Sequence, residues 1–221
     1  SQRLSGIDQI FDVTSKPLIF DGDTGGQIDH LDMKIKSMER LGISAVIFED
    51  KTGLKQNSLY RNTSNQKQED KKKFAEKIIV ANKAKRSNDF MVFARIESLI
   101  LGKPLKDALD RANTYVESGA DGIMIHSKSK DPKEIFDFSK SFRKSFPKVT
   151  LVCVPSTYNQ VREKELSDRG FNIVIYANHM LRASYPGMEK VALKILKYGR
   201  SKEANKDLYP IKSILDLIPG K

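Results

Sequence analysis

Cysteine is nearly absent from the 221 residues: Cys153 stands alone, inside the apolar run Val149-Thr-Leu-Val-Cys-Val154. A single thiol excludes an intramolecular disulfide, and its setting predicts a core thiol in a reducing, cytoplasmic protein. No apolar run approaches the roughly 20 residues that a membrane-spanning helix needs, and no basic, apolar and cleavage-site pattern opens the chain. No His/Glu or Cys cluster has zinc-ligand spacing. A Walker loop and a dinucleotide fingerprint are both missing. Acidic charge falls short of basic, with Asp+Glu 28 against Lys+Arg 39 and a formal net charge of +11. The excess lies on helical stretches such as Lys71-Lys-Lys73 and Lys83-Ala-Lys-Arg86, with no nucleic-acid motif or aromatic–basic alternation. It reads as a solvated surface that attracts anionic metabolites, so neither nucleic acid nor membrane is an expected partner.

What is present is an alternation. Short apolar runs predict strands over 17–21, 44–49, 90–95, 122–126, 149–154 and 172–176, and amphipathic stretches predict helices over 27–41, 69–86, 104–118, 131–145, 158–169 and 179–198. Gly42, Gly119 and Gly170 follow helices as C-caps, and Asp131-Pro132 opens one. Successive βα units predict a parallel sheet in an α/β fold, either a (β/α) barrel or an open doubly wound sheet. An eight-stranded barrel takes about 250 residues. With no strand before residue 17, the chain is expected to be the later part of a barrel that lacks its first two strands. Residues 1–221 read as one domain, interrupted by a polar loop at 52–68 and ending in a helical tail at 200–221. The apolar positions of Tyr209-Pro-Ile-Lys-Ser-Ile-Leu-Asp-Leu-Ile218 in that tail call for a partner surface.

Chemistry in parallel α/β folds gathers at the carboxyl ends of strands, and here those ends are polar. Asp21-Gly-Asp-Thr-Gly-Gly26 presents two carboxylates two residues apart, before glycines that allow a tight turn; hard oxygens of this kind suit Mg²⁺. The plainer reading is a strand end capping the next helix. Glu49-Asp-Lys51 ends the next run and would complete the surroundings of a cation, or form a surface salt-bridge cluster. Arg95, ending an apolar strand, needs a partner. Glu97 is the structural candidate, and an anionic substrate the functional one. His126-Ser127 offers a donor or acid/base at a fourth strand end, against the alternative of a satisfied core histidine. His30 and His179 read as structural.

Together these segments resemble the phosphoenolpyruvate mutase branch of the isocitrate lyase superfamily. The motifs are Asp21-Gly-Asp-Thr-Gly-Gly26, Glu49-Asp-Lys51, Lys55-x-Asn-Ser-Leu59, Ala94-Arg-Ile-Glu97, Ile125-His-Ser-Lys128 and Tyr176-Ala-Asn-His-x-Leu-Arg-Ala-Ser184, in order over residues 5–200. The resemblance implies a (β/α)₈ TIM-type barrel with Mg²⁺ at its mouth, and an isomerase that interconverts phosphoenolpyruvate and phosphonopyruvate. It implies Asp21 as direct metal ligand and Asp23 and Glu49 as ligands through water. Arg95 and His126 are implied as binders of the substrate's phosphoryl and carboxylate groups, and Lys55, Asn57, Ser58 and Leu59 as a gating loop with catalytic and substrate contacts. The carbon–carbon lyases of the superfamily carry a cysteine in that loop, and this chain has none there. Phosphonopyruvate hydrolases tend to have Thr where Asn57 stands, so Asn57 favours the mutase. Hydrolysis is the alternative activity, and a non-catalytic degenerate barrel is a third reading. A homo-oligomer, dimer or tetramer, with exchanged C-terminal helices is also implied.

Overall fold

A computed structural model describes residues 2–53 and 66–217. Its elements, in chain order, are α1 (Gln2–Phe11), β1 (Ile19–Asp21), a 3-10 turn (Ile28–His30), α2 (Leu31–Arg40), β2 (Ala45–Glu49), β3 (Lys51–Thr52), β4 (Lys67–Gln68), α3 (Lys71–Ala84), β5 (Met91–Ile96), α4 (Leu105–Glu117), β6 (Gly122–Ile125), α5 (Lys133–Ser145), β7 (Thr150–Cys153), α6 (Glu163–Asp168), β8 (Ile173–Val174), α7 (His179–Tyr198), a second 3-10 segment (Lys202–Asp207) and α8 (Ile211–Leu215). They form two compact units, divided between Ile175 and Tyr176.

The first unit contains a six-stranded sheet in the order β1-β2-β5-β6-β7-β8. Every neighbouring pair is parallel. Strands that lie beside their predecessors, joined by helical crossovers, give barrel topology. The chain forms six strands of a TIM-type (β/α)₈ barrel, without the first two.

Alternation along the strands divides the side chains between two faces. Val46, Phe48, Val92, Ala94, Ile123 and Leu151 pack in one cluster with Ile35 of α2, Phe74 and Ile78 of α3, Tyr115 of α4 and Phe138 of α5. Ala45, Ile47, Phe93, Met124 and Val152 are also buried but lie outside that cluster, on the opposite face. Continuing the alternation towards the carboxyl ends, that second face carries Glu49, Arg95 and His126. The register sets Glu49 directly beside Arg95 and Asp21 beside Ile47.

Gly22 ends β1 against β2. Its N–H donates to the Ile47 carbonyl at 2.8 Å, and a Cβ there would stand 2.5 Å from Phe48 Cε1 and 2.8 Å from Val46 Cγ2. Only glycine lets the backbone approach this closely, which is what places the following carboxylate turn over the end of β2.

Two segments depart from the sequence expectation. The helix expected over 158–169 is confined to Glu163–Asp168. The residues before it are committed elsewhere: Tyr158 is fully buried, Thr157 Oγ1 donates to the Ser127 carbonyl at 3.0 Å and Gln160 Nε2 to the Lys130 carbonyl at 2.8 Å. Tertiary anchoring thus overrides local helix propensity. The second departure is the antiparallel β3–β4 ribbon, in which Lys51 pairs with Gln68 and Thr52 with Lys67. Two-residue polar strands leave no periodicity to read.

The second unit is helical. The Asp207 carboxylate receives Lys190 Nζ at 2.8 Å and is also paired with Lys194, which ties Lys202–Asp207 to α7. No described residue of α7 is buried, and Met180, Leu181 and Leu196 are 79%, 70% and 80% exposed.

Candidate active site

The turn after β1 is held at successive carbonyls. Glu49 N–H donates to the Asp23 carbonyl at 2.8 Å, Lys77 Nζ to the Thr24 carbonyl at 3.1 Å and Lys34 Nζ to the Gly25 carbonyl at 2.9 Å. Asp23 adopts a left-handed φ of 52°. Its N–H donates to Asp21 Oδ1 at 3.3 Å, and its Oδ2 pairs with Arg3 of α1 at 2.7 Å. Among the described residues, no three His, Cys, Asp or Glu side chains converge closely enough to hold one metal ion between them.

Glu49, Arg95 and His126 are brought together. Arg95 Nη1 lies 3.7 Å from Glu49 Oε2, Arg95 Nε donates to Glu97 Oε1 at 2.5 Å and Arg95 Nη2 sits 3.2 Å from His126 Nδ1. Lys51 Nζ lies 3.3 Å from Glu97 Oε2 and 3.7 Å from Glu49 Oε2. Glu97 is therefore the structural partner that an arginine at this strand end requires. Burial raises the pKa of Glu49; Arg95 and Lys51 oppose the shift, while Glu97 and Asp21 add to it. Among the described residues, the buried Glu49 Oε1 has no hydrogen-bond partner.

His126 is 5% exposed. Burial first, then the Arg95 charge, pushes its pKa down to about 4, so the ring is neutral at pH 7. A guanidinium can only donate, so Nδ1 facing Arg95 must be the acceptor and the ring proton sits on Nε2. Among the described residues, the buried Nε2 has no hydrogen-bond partner. The cluster thus combines a cation, a donor and an acidic oxygen, the last two unsatisfied by any described residue.

A pH prediction follows from this histidine. Its folded pKa of about 4 lies below the ordinary 6.5, so the unfolded chain takes up the proton first. Stability is intact above pH 6.5 and falls as the pH drops towards 4. In chelator, the unfolding free energy of His126→Gln from denaturant melts is expected to fall less than that of wild type over that window, by a difference on the order of 3 kcal/mol. Parallel decline in the two proteins would show that His126 is not buried as the neutral ring.

Asp50 does not join its neighbour Glu49 at the strand-end mouth, as the run of polar strand ends had suggested. It is fully buried. Its carboxylate accepts from Glu97 N–H at 2.9 Å, Gln68 Nε2 at 2.8 Å, Arg111 Nη1 at 3.1 Å and Tyr115 OH at 2.8 Å. Burial raises its pKa to about 7, with Arg111 the largest opposing influence. Three of those donors meet at Oδ2, an arrangement that suits a carboxylate oxygen. The readable signal was the alternation itself: consecutive residues in an extended strand face opposite sides. Arg111, buried on α4 beside Ala108 and Ala112, had no such signal. Ser127 is also turned to structure: its Oγ bonds Glu134 and accepts Ser129 N–H at 2.9 Å. Cys153 is a buried core thiol, raised to about 12 by burial. His30 lies in the first 3-10 turn, and His179 opens α7 with its ring edge-on to Tyr176. Lys55, Asn57, Ser58 and Leu59 lie outside the described residues.

Comparison with known proteins points to one family. Residues 1–196 match the family model described as phosphoenolpyruvate phosphomutase. A phosphonopyruvate hydrolase from Variovorax is 37% identical over 219 residues, 98% of this chain and 74% of that protein. A phosphoenolpyruvate phosphomutase from Tetrahymena pyriformis is 35% identical over 196 residues, 88% of this chain and 64% of that protein. This chain therefore spans less than two thirds of that mutase. The crystal structure of a phosphoenolpyruvate phosphomutase from Streptomyces platensis superposes with a TM-score of 0.89 at 34% identity, covering 97% of this chain and 73% of that one. A phosphonopyruvate hydrolase complexed with oxalate and Mg²⁺ superposes with a TM-score of 0.85 at 36% identity, covering 98% and 73%. The match of the family model over residues 1–196, together with the relative that is 37% identical over 98% of this chain, places this chain in the phosphoenolpyruvate phosphomutase family.

Proposed function

We propose that the protein binds phosphonopyruvate or phosphoenolpyruvate with Mg²⁺ and interconverts the two, as an intramolecular phosphoryl-transferring isomerase. The observation that carries this reading is the neutral His126, held 3.2 Å from the Arg95 guanidinium through Nδ1, with its Nε2–H unpartnered among the described residues. Buried donors without partners are rare in folded proteins, and a dry donor beside a fixed guanidinium suits an anionic ligand.

The donor set also fits Mg²⁺. Asp21, Asp23 and Glu49 offer hard oxygens, Glu49 Oε1 is buried and unsatisfied, and Asp21 lies near enough to raise the Glu49 pKa. Asp21 would hold the ion directly, and Asp23 and Glu49 through water, the low direct-ligand count that Mg²⁺ tolerates. When bound, the ion would supply positive charge opposite the substrate's oxygens. A Mg²⁺ and oxalate complex of a related hydrolase supports this reading.

The chain's own residues then do the positioning. Arg95 and the His126 Nε2–H donate to phosphoryl and carboxylate oxygens. As the P–C bond breaks, its electron pair passes into pyruvate enolate, whose oxygen receives the phosphoryl group. Charge stabilisation by groups already in place is the main demand of such a transfer. Glu97 and Glu49 fix the guanidinium before substrate arrives.

Hydrolysis is the second reading, supported by the 37% identical hydrolase. In that reaction water intercepts the transferring group, so exclusion of water separates the two outcomes. On sequence alone Asn57 supports the mutase. The deciding test is ³¹P NMR of the protein with phosphonopyruvate and Mg²⁺, repeated in EDTA. A phosphoenolpyruvate signal that EDTA abolishes is expected. Inorganic phosphate instead would make the chain a hydrolase, and an unchanged spectrum would reduce it to a binding module.

A homo-oligomer is part of the same proposal. The unburied apolar residues of α7 favour a second copy as their cover. Light scattering should give a dimer or larger; a monomer at micromolar concentration would sink this part.

A further inference from the structure

Between the ends of β2 and β5 and the buried face of α4 lies a polar cluster that the proposed reaction leaves without a role. Asp107, Arg111 and Tyr115 recur every four residues and so form one stripe along α4. Arg111 Nε donates to Asp107 Oδ2 at 3.2 Å, and Ser98 Oγ to the same oxygen at 2.6 Å. Arg111 Nη1 reaches Asp50 Oδ2, the Glu69 carbonyl and Tyr115 OH at 3.1, 3.0 and 2.9 Å.

Asp50 connects this stripe to the end of β5. Its backbone N–H donates to the Arg95 carbonyl at 3.1 Å, and its Oδ1 receives the Glu97 N–H at 2.9 Å. One residue therefore brackets Arg95-Ile96-Glu97 from both sides. The Glu97 side chain, wholly buried, then holds Arg95 Nε at 2.5 Å. The chain of contacts runs from Tyr115 and Arg111 through Asp50 and Glu97 to Arg95, and from Arg95 Nη2 to His126.

Stability alone accounts poorly for such a cluster, because well-packed apolar residues commonly match or exceed a buried ion pair in net stabilisation. What the cluster adds is direction: donors and acceptors shared among several partners fix one another's placement. We propose that Asp50, Arg111 and Tyr115 are positioning residues, which fix Glu97 and through it set the Arg95 guanidinium against His126. The inference rests on Arg95 and His126 being the anion donors of the proposed function.

The test has one readout that needs no activity. Tyr115→Phe removes a single donor from Asp50 and keeps the ring, whose centroid lies 4.8 Å from that of Phe74 at a 59° tilt. Arg111→Lys is the second variant. Ser139→Ala is the control, since it removes the hydrogen bond from buried Ser139 of α5 to the Arg169 carbonyl after α6, outside the cluster. Only three histidines are present, so the His126 ring nitrogens can be followed by NMR in the metal-free protein near neutral pH. Oxalate affinity in Mg²⁺ is the second readout.

In Tyr115→Phe the His126 resonances should move and the oxalate dissociation constant should rise about tenfold. Ser139→Ala should leave both unchanged even though its melting temperature falls. His126 resonances that stay at wild-type positions in both cluster variants would overturn the inference. If those resonances move but wild-type protein binds neither oxalate nor phosphonopyruvate in Mg²⁺, the functional reading fails while the positioning of Arg95 against His126 stands.

Discussion

Arg95→Gln should lower turnover by two to three orders of magnitude, the loss typical when a pre-set donor to developing charge is removed. Arg95 is the one described side chain that touches Glu49, Glu97 and His126 at once. Glutamine retains a hydrogen-bond donor but neither the charge nor the planar fork, so the proposed anion site would lose its guanidinium donor. The Glu49 carboxyl should rise further, because Arg95 is the largest influence holding it down against burial. Arg95→Lys should rescue little, since a point charge on a flexible stem cannot serve Glu97 and His126 together. Turnover of phosphonopyruvate, followed by ³¹P NMR, is the measurement. A glutamine variant that retains wild-type kcat/KM would remove Arg95 from the chemistry and with it the main support for the anion site.

Much of this site was legible because it obeys the simplest periodicity in proteins. Runs such as Ala45-Val-Ile-Phe-Glu49 and Met91-Val-Phe-Ala-Arg-Ile96 are too short and too apolar for surface helices, and their polar last residues mark the end at which a parallel α/β fold carries its chemistry. The register then brings Glu49 and Arg95 side by side. The less legible parts depend on contacts between residues distant in sequence. Arg111 reaches Asp50 across 61 positions, and no local pattern announces that an arginine on an apolar helix face will be spent on a buried carboxylate. Tyr158 likewise gave up a predicted helical turn for a fully buried site near Cys153. Asp50 falls between these cases. Its facing could be deduced from Glu49, but its partners could not.

Arg111→Met carries the larger structural effect. Asp50 is fully buried, and Arg111 is its only cationic hydrogen-bond partner among the described contacts. Removing one member of a buried pair strands the other, at a cost of about 3–5 kcal/mol. Glu69 would also lose the guanidinium at its carbonyl, and Tyr115 OH one of its two partners. Denaturant melts should therefore show a large loss of stability at neutral pH. The informative comparison is the double variant Asp50→Leu with Arg111→Met. If the stranded carboxylate is the cause, removing it as well should return part of the lost stability, although Glu97 N–H is then left without its acceptor. Such a double variant, folded again but weak in oxalate binding, would separate the two things this pair does: it satisfies itself within the core, and it holds the end of β5 where Arg95 meets His126. Purely additive losses would instead mean that Asp50 and Arg111 contribute independently, and that the pair is not the unit that shapes this end of the sheet.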